Sequence, residues 1–130
     1  MSGTTYVGGF VGWNRTNAVI TDSYSTCSVS GTAVLGGFAG INHTYGFIYN
    51  SYSTGNATGT GDHIGGFVGS NNNFSITSNC YSMGSAGGVG RVGGLAGTNG
   101  NDSTISNSYS TGSASGSSNV GGLVGYNQNT

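Results

Sequence analysis

Val92-Gly93-Gly94-Leu95-Ala96-Gly97-Thr98-Asn99 decides the fold, because the chain keeps rewriting it. The same frame returns as Gly8-Gly9-Phe10-Val11-Gly12, Gly36-Gly37-Phe38-Ala39-Gly40, Gly65-Gly66-Phe67-Val68-Gly69 and Gly121-Gly122-Leu123-Val124-Gly125. Successive starts lie 28, 29, 28 and 28 residues apart. A second series, Tyr24, Tyr52, Tyr81 and Tyr109, stands 16 residues after the first Gly of each frame. The one additional residue therefore falls between Tyr52 and Gly65, most simply within Thr60-Gly61-Asp62-His63. A fixed period in the range of roughly 20 to 50 residues marks a solenoid or array. The repeat runs from end to end, so residues 1–130 read as a single repeat domain.

The columns of the repeat describe one unit. An aliphatic residue precedes each Gly-Gly, at Val7, Leu35, Ile64, Val92 and Val120. Two residues after each Gly-x-x-Gly stand Asn14, Asn42, Asn71, Asn99 and Asn127. Asn tolerates left-handed backbone and bonds its own chain, so this column reads as a corner. Ile20, Ile48, Thr77 and Ile105 follow, and Ile76 beside Thr77 points to a local shift of that turn. Beyond the tyrosines come a small apolar column (Val29, Ala57, Ala86, Ala114) and a Gly column (Gly31, Gly59, Gly88, Gly116) where the chain can turn again.

Each unit thus holds two or three short strands between Gly and Asn corners. One unit cannot bury its own apolar residues, whereas stacking units in register buries a continuous column. A propeller blade needs roughly 40 residues, and two-residue hairpin signals are missing, so the coil reading prevails. The expected architecture is an all-β solenoid (β-helix) of about four and a half coils. Stacked at ~4.8 Å, it makes a stubby rod about 22 Å long.

Composition narrows function further. Gly, Ser, Thr and Asn supply 78 of the 130 residues, which leaves few groups for chemistry. Arg15 and Arg91 are the only bases besides two His, and Asp22, Asp62 and Asp102 are the only acids. Two cations cannot neutralise a phosphate backbone, which argues against nucleic acid. No apolar run approaches the ~18 residues of a membrane helix.

Gly-Leu-Ala-Gly at 94–97 and Gly-Leu-Val-Gly at 122–125, with Phe versions at 9–12, 37–40 and 66–69, resemble the GLUG motif. The resemblance covers the whole chain. It implies β-helical stalk or surface material of large secreted bacterial and archaeal proteins, including adhesins and filamentous-haemagglutinin-like proteins. No catalytic residue comes with it. The structural positions it marks are Gly9, Gly12, Gly37, Gly40, Gly66, Gly69, Gly94, Gly97, Gly122 and Gly125, beside the Asn and Tyr columns.

The remaining candidates are few. A metal site needs three or four converging ligands, and Asp62 with His63 supplies two while His43 lies elsewhere. The three Asp fall in different columns, Asp22 within an Asn ladder of Asn50, Asn79 and Asn107, so no carboxylate pair assembles. The residues point away from an enzyme and from any cofactor. Cys27 and Cys80 sit about two coils apart, beyond the ~7 Å limit for a bridge within the chain, leaving free thiols or an interchain bond. The tyrosines are expected to stack inward as a ladder. Ser23, Ser25, Ser51, Ser53, Ser82, Ser108 and Ser110 would then form an outward hydroxyl face, a candidate for ice or polysaccharide.

Strict alternation puts the Phe10/Phe38/Phe67/Leu95/Leu123 column and the Val11/Ala39/Val68/Ala96/Val124 column on opposite faces, unless Gly-Gly bulges. The outward one would be an apolar stripe wanting a partner. No capping helix precedes Val7 or follows Asn127, so both terminal coils are expected to offer open strand edges. These features favour a secreted or cell-surface structural, adhesive module that partners itself in a fibre or longer array. The alternative is a module that binds a surface through regular Ser/Thr columns.

Overall fold

The computed structural model describes residues 1–128. Every regular element in it is a strand, and every strand pairs in parallel with its counterpart one repeat away. One coil comprises five short strands. In the first coil these are Ser2–Gly3, Tyr6–Gly8, Val11–Arg15, Val19–Thr21 and Tyr24–Ser25. Each founds one of five parallel sheets, numbered in that order. The first three sheets have five strands and the last two have four. The chain is a β-solenoid with a 28-residue coil. The register shows where the longer unit differs: Gly59 pairs with Gly31 and His63 with Val34, so the additional residue lies between them, as the sequence indicates.

The Gly-Gly-Phe corner between the second and third sheets departs from simple alternation. The Phe38 and Ala39 amides both donate to the Phe67 carbonyl, at 2.9 and 3.0 Å, and the pattern recurs at Phe10, Phe67 and Leu95. Two amides sharing one acceptor bulge the chain, and both side chains then turn inward. Phe38, Phe67, Leu95, Ala39, Val68 and Ala96 are all fully buried. The expected outward apolar stripe is therefore absent; only Phe10 and Leu123, in the terminal coils, stay exposed.

The tyrosine strand is the reverse of the expectation. Tyr24 and Tyr109 are exposed and Tyr52 and Tyr81 half-buried, while Ser25, Ser53 and Ser82 are buried. Ser51 is also buried, Ser23, Ser108 and Ser110 are intermediate, and no outward Ser face exists at these positions. The reason is space. The Ser53 hydroxyl donates at 2.6 Å to the Gly66 carbonyl across the coil. A Cβ on Gly66 would collide with the Ser82 hydroxyl and the Gly94 carbonyl oxygen. This Ser/Gly waist is too narrow for a phenol ring. It divides the interior into two apolar columns, one around Phe38, Ile48, Phe67 and Leu95, the other around Leu35, Ala57, Ile64 and Val92.

Corners also move relative to the sequence reading. The Asn column lies within strands, pointing inward, and the corner follows it. Left-handed pairs occur at Thr16–Asn17, Thr44–Tyr45, Asn73–Phe74 and Asn101–Asp102. A second left-handed column is Asp22, Asn50, Asn79 and Asn107. No described glycine has positive φ, so the Gly31/Gly59 column is not a left-handed turn. Glycine stands there because stacked backbones leave no room: a Cβ on Gly59 meets the Gly31 carbonyl. Thr77 stays in register with Ile48 and Ile105, so the turn beside Ile76 is not shifted. Its hydroxyl, fully buried, donates to Asn71 Oδ1 at 3.2 Å.

Candidate functional site

Three features concentrate polar or aromatic groups on this scaffold. The first is the internal Asn ladder. Asn14, Asn42, Asn71 and Asn99 each donate from Nδ2 to the Oδ1 of the next Asn, at 2.8, 2.9, 2.9 and 2.9 Å, ending on Asn127. Each Nδ2 also reaches the carbonyl four residues on, at Ala18, Gly46, Ser75 and Ser103, and so closes the left-handed corner from inside. That bond offsets the ~1–2 kcal/mol per residue that left-handed backbone costs a non-glycine residue. A third contact ties the ladder to the coil above: Asn14 to the Phe47 carbonyl, Asn42 to Ile76, Asn71 to Thr104. All donors point one way along the axis, so the ladder has a polarity. An exposed ladder parallels it, with Asn50 donating to Asp22 and Asn79 to Asn50.

The second feature is the outer aromatic stack. Tyr24–Tyr52, Tyr52–Tyr81 and Tyr81–Tyr109 centroids lie 5.3, 4.9 and 5.0 Å apart, within 10° of parallel. The faces cover one another, so the ladder presents ring edges and hydroxyls rather than platforms for a sugar. The Tyr81 phenol is pushed above its usual pKa by desolvation in the stack and then by Tyr52 and Tyr109.

The third feature lies on the outside of the second sheet, next to the added residue. Arg91 Nη1 donates to His63 Nε2 at 2.7 Å, and the guanidinium carbon sits 4.8 Å from the Tyr126 ring centroid. Burial, then Arg91, lowers the His63 pKa against an opposing effect of Asp62, so the imidazole stays neutral and accepts. His43 is far along the chain and bonds Asn73 instead. Among the described residues no three His, Cys, Asp or Glu converge as metal ligands. Cys27 is exposed and Cys80 buried, both as free thiols.

The two stretches 3–34 and 88–115 match the family described as the GLUG motif. Those two stretches are similar to the GLUG motif. No curated protein and no solved structure matches it. In structural terms the GLUG segment is the Gly-Gly-Phe/Leu bulge. It brings two successive apolar side chains into the core and sets the waist. The Gly and Asn positions singled out from the sequence belong to this packing machinery.

An outward face of mostly hydroxyl side chains does exist, along the first-sheet strands and the segments that lead into them. Thr26, Ser28 and Ser30 lie in line with Thr54, Asn56 and Thr58, and with Thr111, Ser113 and Ser115, all nine exposed. Sequence reasoning missed it because it was tied to the tyrosine strand. The inward Val29/Ala57/Ala86/Ala114 column was the available signal, since its neighbours must point outward.

Proposed function

We propose that the chain is a non-enzymatic structural module of an extracellular or cell-surface protein, adhesive in setting, that lengthens a rod by stacking coil on coil. The observation that supports this is the polar Asn ladder. It repeats the Asn-to-Asn bond and the corner-closing bond from coil to coil, with Asn14 Oδ1 facing one end as an acceptor and Asn127 Nδ2 the other as a donor. A second copy stacked head to tail continues both the ladder and the Phe10-to-Leu123 column, although one coil at the junction lacks its fourth- and fifth-sheet strands. Sedimentation velocity over a concentration series tests it, together with negative-stain microscopy. End-to-end oligomers or fibres that Phe10→Arg abolishes support self-assembly; monomers at every concentration contradict it.

A second reading rests on the first-sheet hydroxyl face: a module binding ice or a crystalline polysaccharide through regular Thr and Ser columns. Met83 and Gly87 interrupt the array in one coil. Thr54→Tyr with Thr111→Tyr should abolish ice-recrystallisation inhibition or polysaccharide pull-down while leaving assembly unchanged. Absence of both activities in the unmodified chain excludes this reading.

A further inference from the structure

The ladder on the outside of the fifth sheet lines up four phenols of identical chemistry. Tyr24, Tyr52, Tyr81 and Tyr109 stand directly opposite one another on neighbouring strands. Ring centroids 5.3, 4.9 and 5.0 Å apart, in nearly parallel planes, set each phenol over the next. Among the described residues no other tyrosine stacks on a tyrosine: Tyr6 meets Trp13, Tyr45 meets Phe74, Tyr49 meets Phe47, and Tyr126 faces Arg91. Tyr24 and Tyr109 are more than half exposed, at 59% and 54%. The strands that carry the ladder are only two residues long, against five in the third sheet. Main-chain pairing therefore contributes least on the side of the coil where the phenols are stacked.

We infer that this ladder is an oxidative cross-linking site, at which a haem peroxidase using hydrogen peroxide joins neighbouring coils through dityrosine. One-electron oxidation of a phenol removes an electron and the hydroxyl proton. The radical left behind is shared between the oxygen and the two ring carbons beside it. Two such radicals on adjacent rungs combine, Cε to Cε. Each bonded carbon then gives up its hydrogen as a proton and each oxygen regains one, which restores both phenols. Two tyrosines and one hydrogen peroxide thus yield one dityrosine and two waters. Geometry favours this outcome twice over. Stacking covers the ring faces and leaves the reactive carbons at the edges, and the fixed rung spacing turns a bimolecular coupling into one within the chain. The four rungs allow Tyr24–Tyr52 together with Tyr81–Tyr109, or Tyr52–Tyr81 alone. Each bridge ties residues 28 or 29 apart, a covalent rung across the shortest strands of the coil. The bridge depends only on coils stacked in register and needs neither the self-assembly nor the surface binding proposed above.

The test uses the whole 130-residue chain carrying Cys27→Ser, which removes the exposed thiol as a competing target. Dilute protein is treated with hydrogen peroxide and a haem peroxidase, then followed by dityrosine fluorescence, intact mass and mapping of proteolytic peptides. Monomers lighter by two hydrogens per bridge are expected. The bridged peptides should join Tyr24 to Tyr52, Tyr52 to Tyr81 or Tyr81 to Tyr109. Tyr52→Phe with Tyr109→Phe keeps an aromatic stack but leaves no two tyrosines adjacent, so the intrachain product should fall at least about tenfold. The bridged monomer should unfold at higher urea than untreated protein. Absence of dityrosine, dimers as the sole product, bridges to Tyr6, Tyr45, Tyr49 or Tyr126 at comparable yield, or undiminished yield in the double variant would overturn the inference. The same treatment in urea should lose the preference for adjacent rungs. A preference that persists there also overturns it, because it would come from spacing along the chain and not from the stack.

Discussion

Asn71 shows what one residue does in this fold. Fully buried, it donates to Asn99, Ser75 and Thr104 and accepts from Asn42 and Thr77. Alanine there strands buried donors and carbonyls on both sides, so Asn71→Ala should cost about 2–4 kcal/mol in urea unfolding. Asn79 belongs to the exposed ladder, and Asn79→Ala should cost only about 1 kcal/mol, the left-handed preference of the site. Equal losses would contradict the distinction between the two ladders. Titratable groups give a second prediction. Burial pushes the Cys80 thiol from 9.0 up to about 11, so the folded chain holds that proton where the unfolded chain releases it. Stability attributable to Cys80 is complete below pH about 9 and falls as pH rises toward 11, and Tyr81 acts in the same direction. His43 and His63 have lowered pKa values, each chiefly from burial, so stability falls as pH drops below 6.5, where the unfolded chain binds protons the folded one refuses. The unfolding midpoint should therefore be highest between these limits. In native protein a thiol reagent should modify Cys27 quickly and Cys80 only on unfolding; two fast thiols would refute the burial of Cys80.

At the scale of the element, the GLUG corner is where sequence reasoning reached furthest and then failed. The Gly-Gly frame, its period and its need for close approach were legible, because glycine recurring at five equivalent places marks a position where a side chain does not fit. Which neighbours point inward was not. Alternation predicts opposite faces for Phe67 and Val68, but two amides on one carbonyl cancel it. Hydrophobicity predicts Tyr81 inward and Ser82 outward, and the waist overrules hydrophobicity with volume. The same waist supplies a controlled experiment. Gly66 and Gly122 occupy one column. A Cβ at Gly66 meets atoms on three sides, whereas at Gly122 it meets nothing within 4 Å. Gly66→Ala should destabilise by about 3 kcal/mol or more, and Gly122→Ala by less than about 0.5 kcal/mol. Similar melting temperatures for the two variants would mean that no coil lies over Gly66.

For the molecule as a whole, periodicity carried the architecture. Five frames spaced 28 or 29 residues apart, with Asn, Tyr and Ala columns in step, determine a stack. The polar ladder that runs through its interior is less visible, because asparagine is also the ordinary residue of corners, and only the burial of Asn14, Asn42, Asn71 and Asn99 separates the two roles. The hydroxyl face follows from side-chain orientation, which composition does not encode. The most direct test of the stack is disulfide trapping in a Cys27→Ser background. Ser30 pairs with Thr58, and that column continues through Gly87 to Ser115. Neighbouring coils put the first two Cα atoms ~4.8 Å apart, inside the bridging range, and Ser30 and Ser115 about 14 Å apart, outside it. Ser30→Cys with Thr58→Cys should oxidise to a monomer with an internal bridge, and Ser30→Cys with Ser115→Cys should not. An internal bridge in the second pair, or none in the first, would contradict parallel in-register coils.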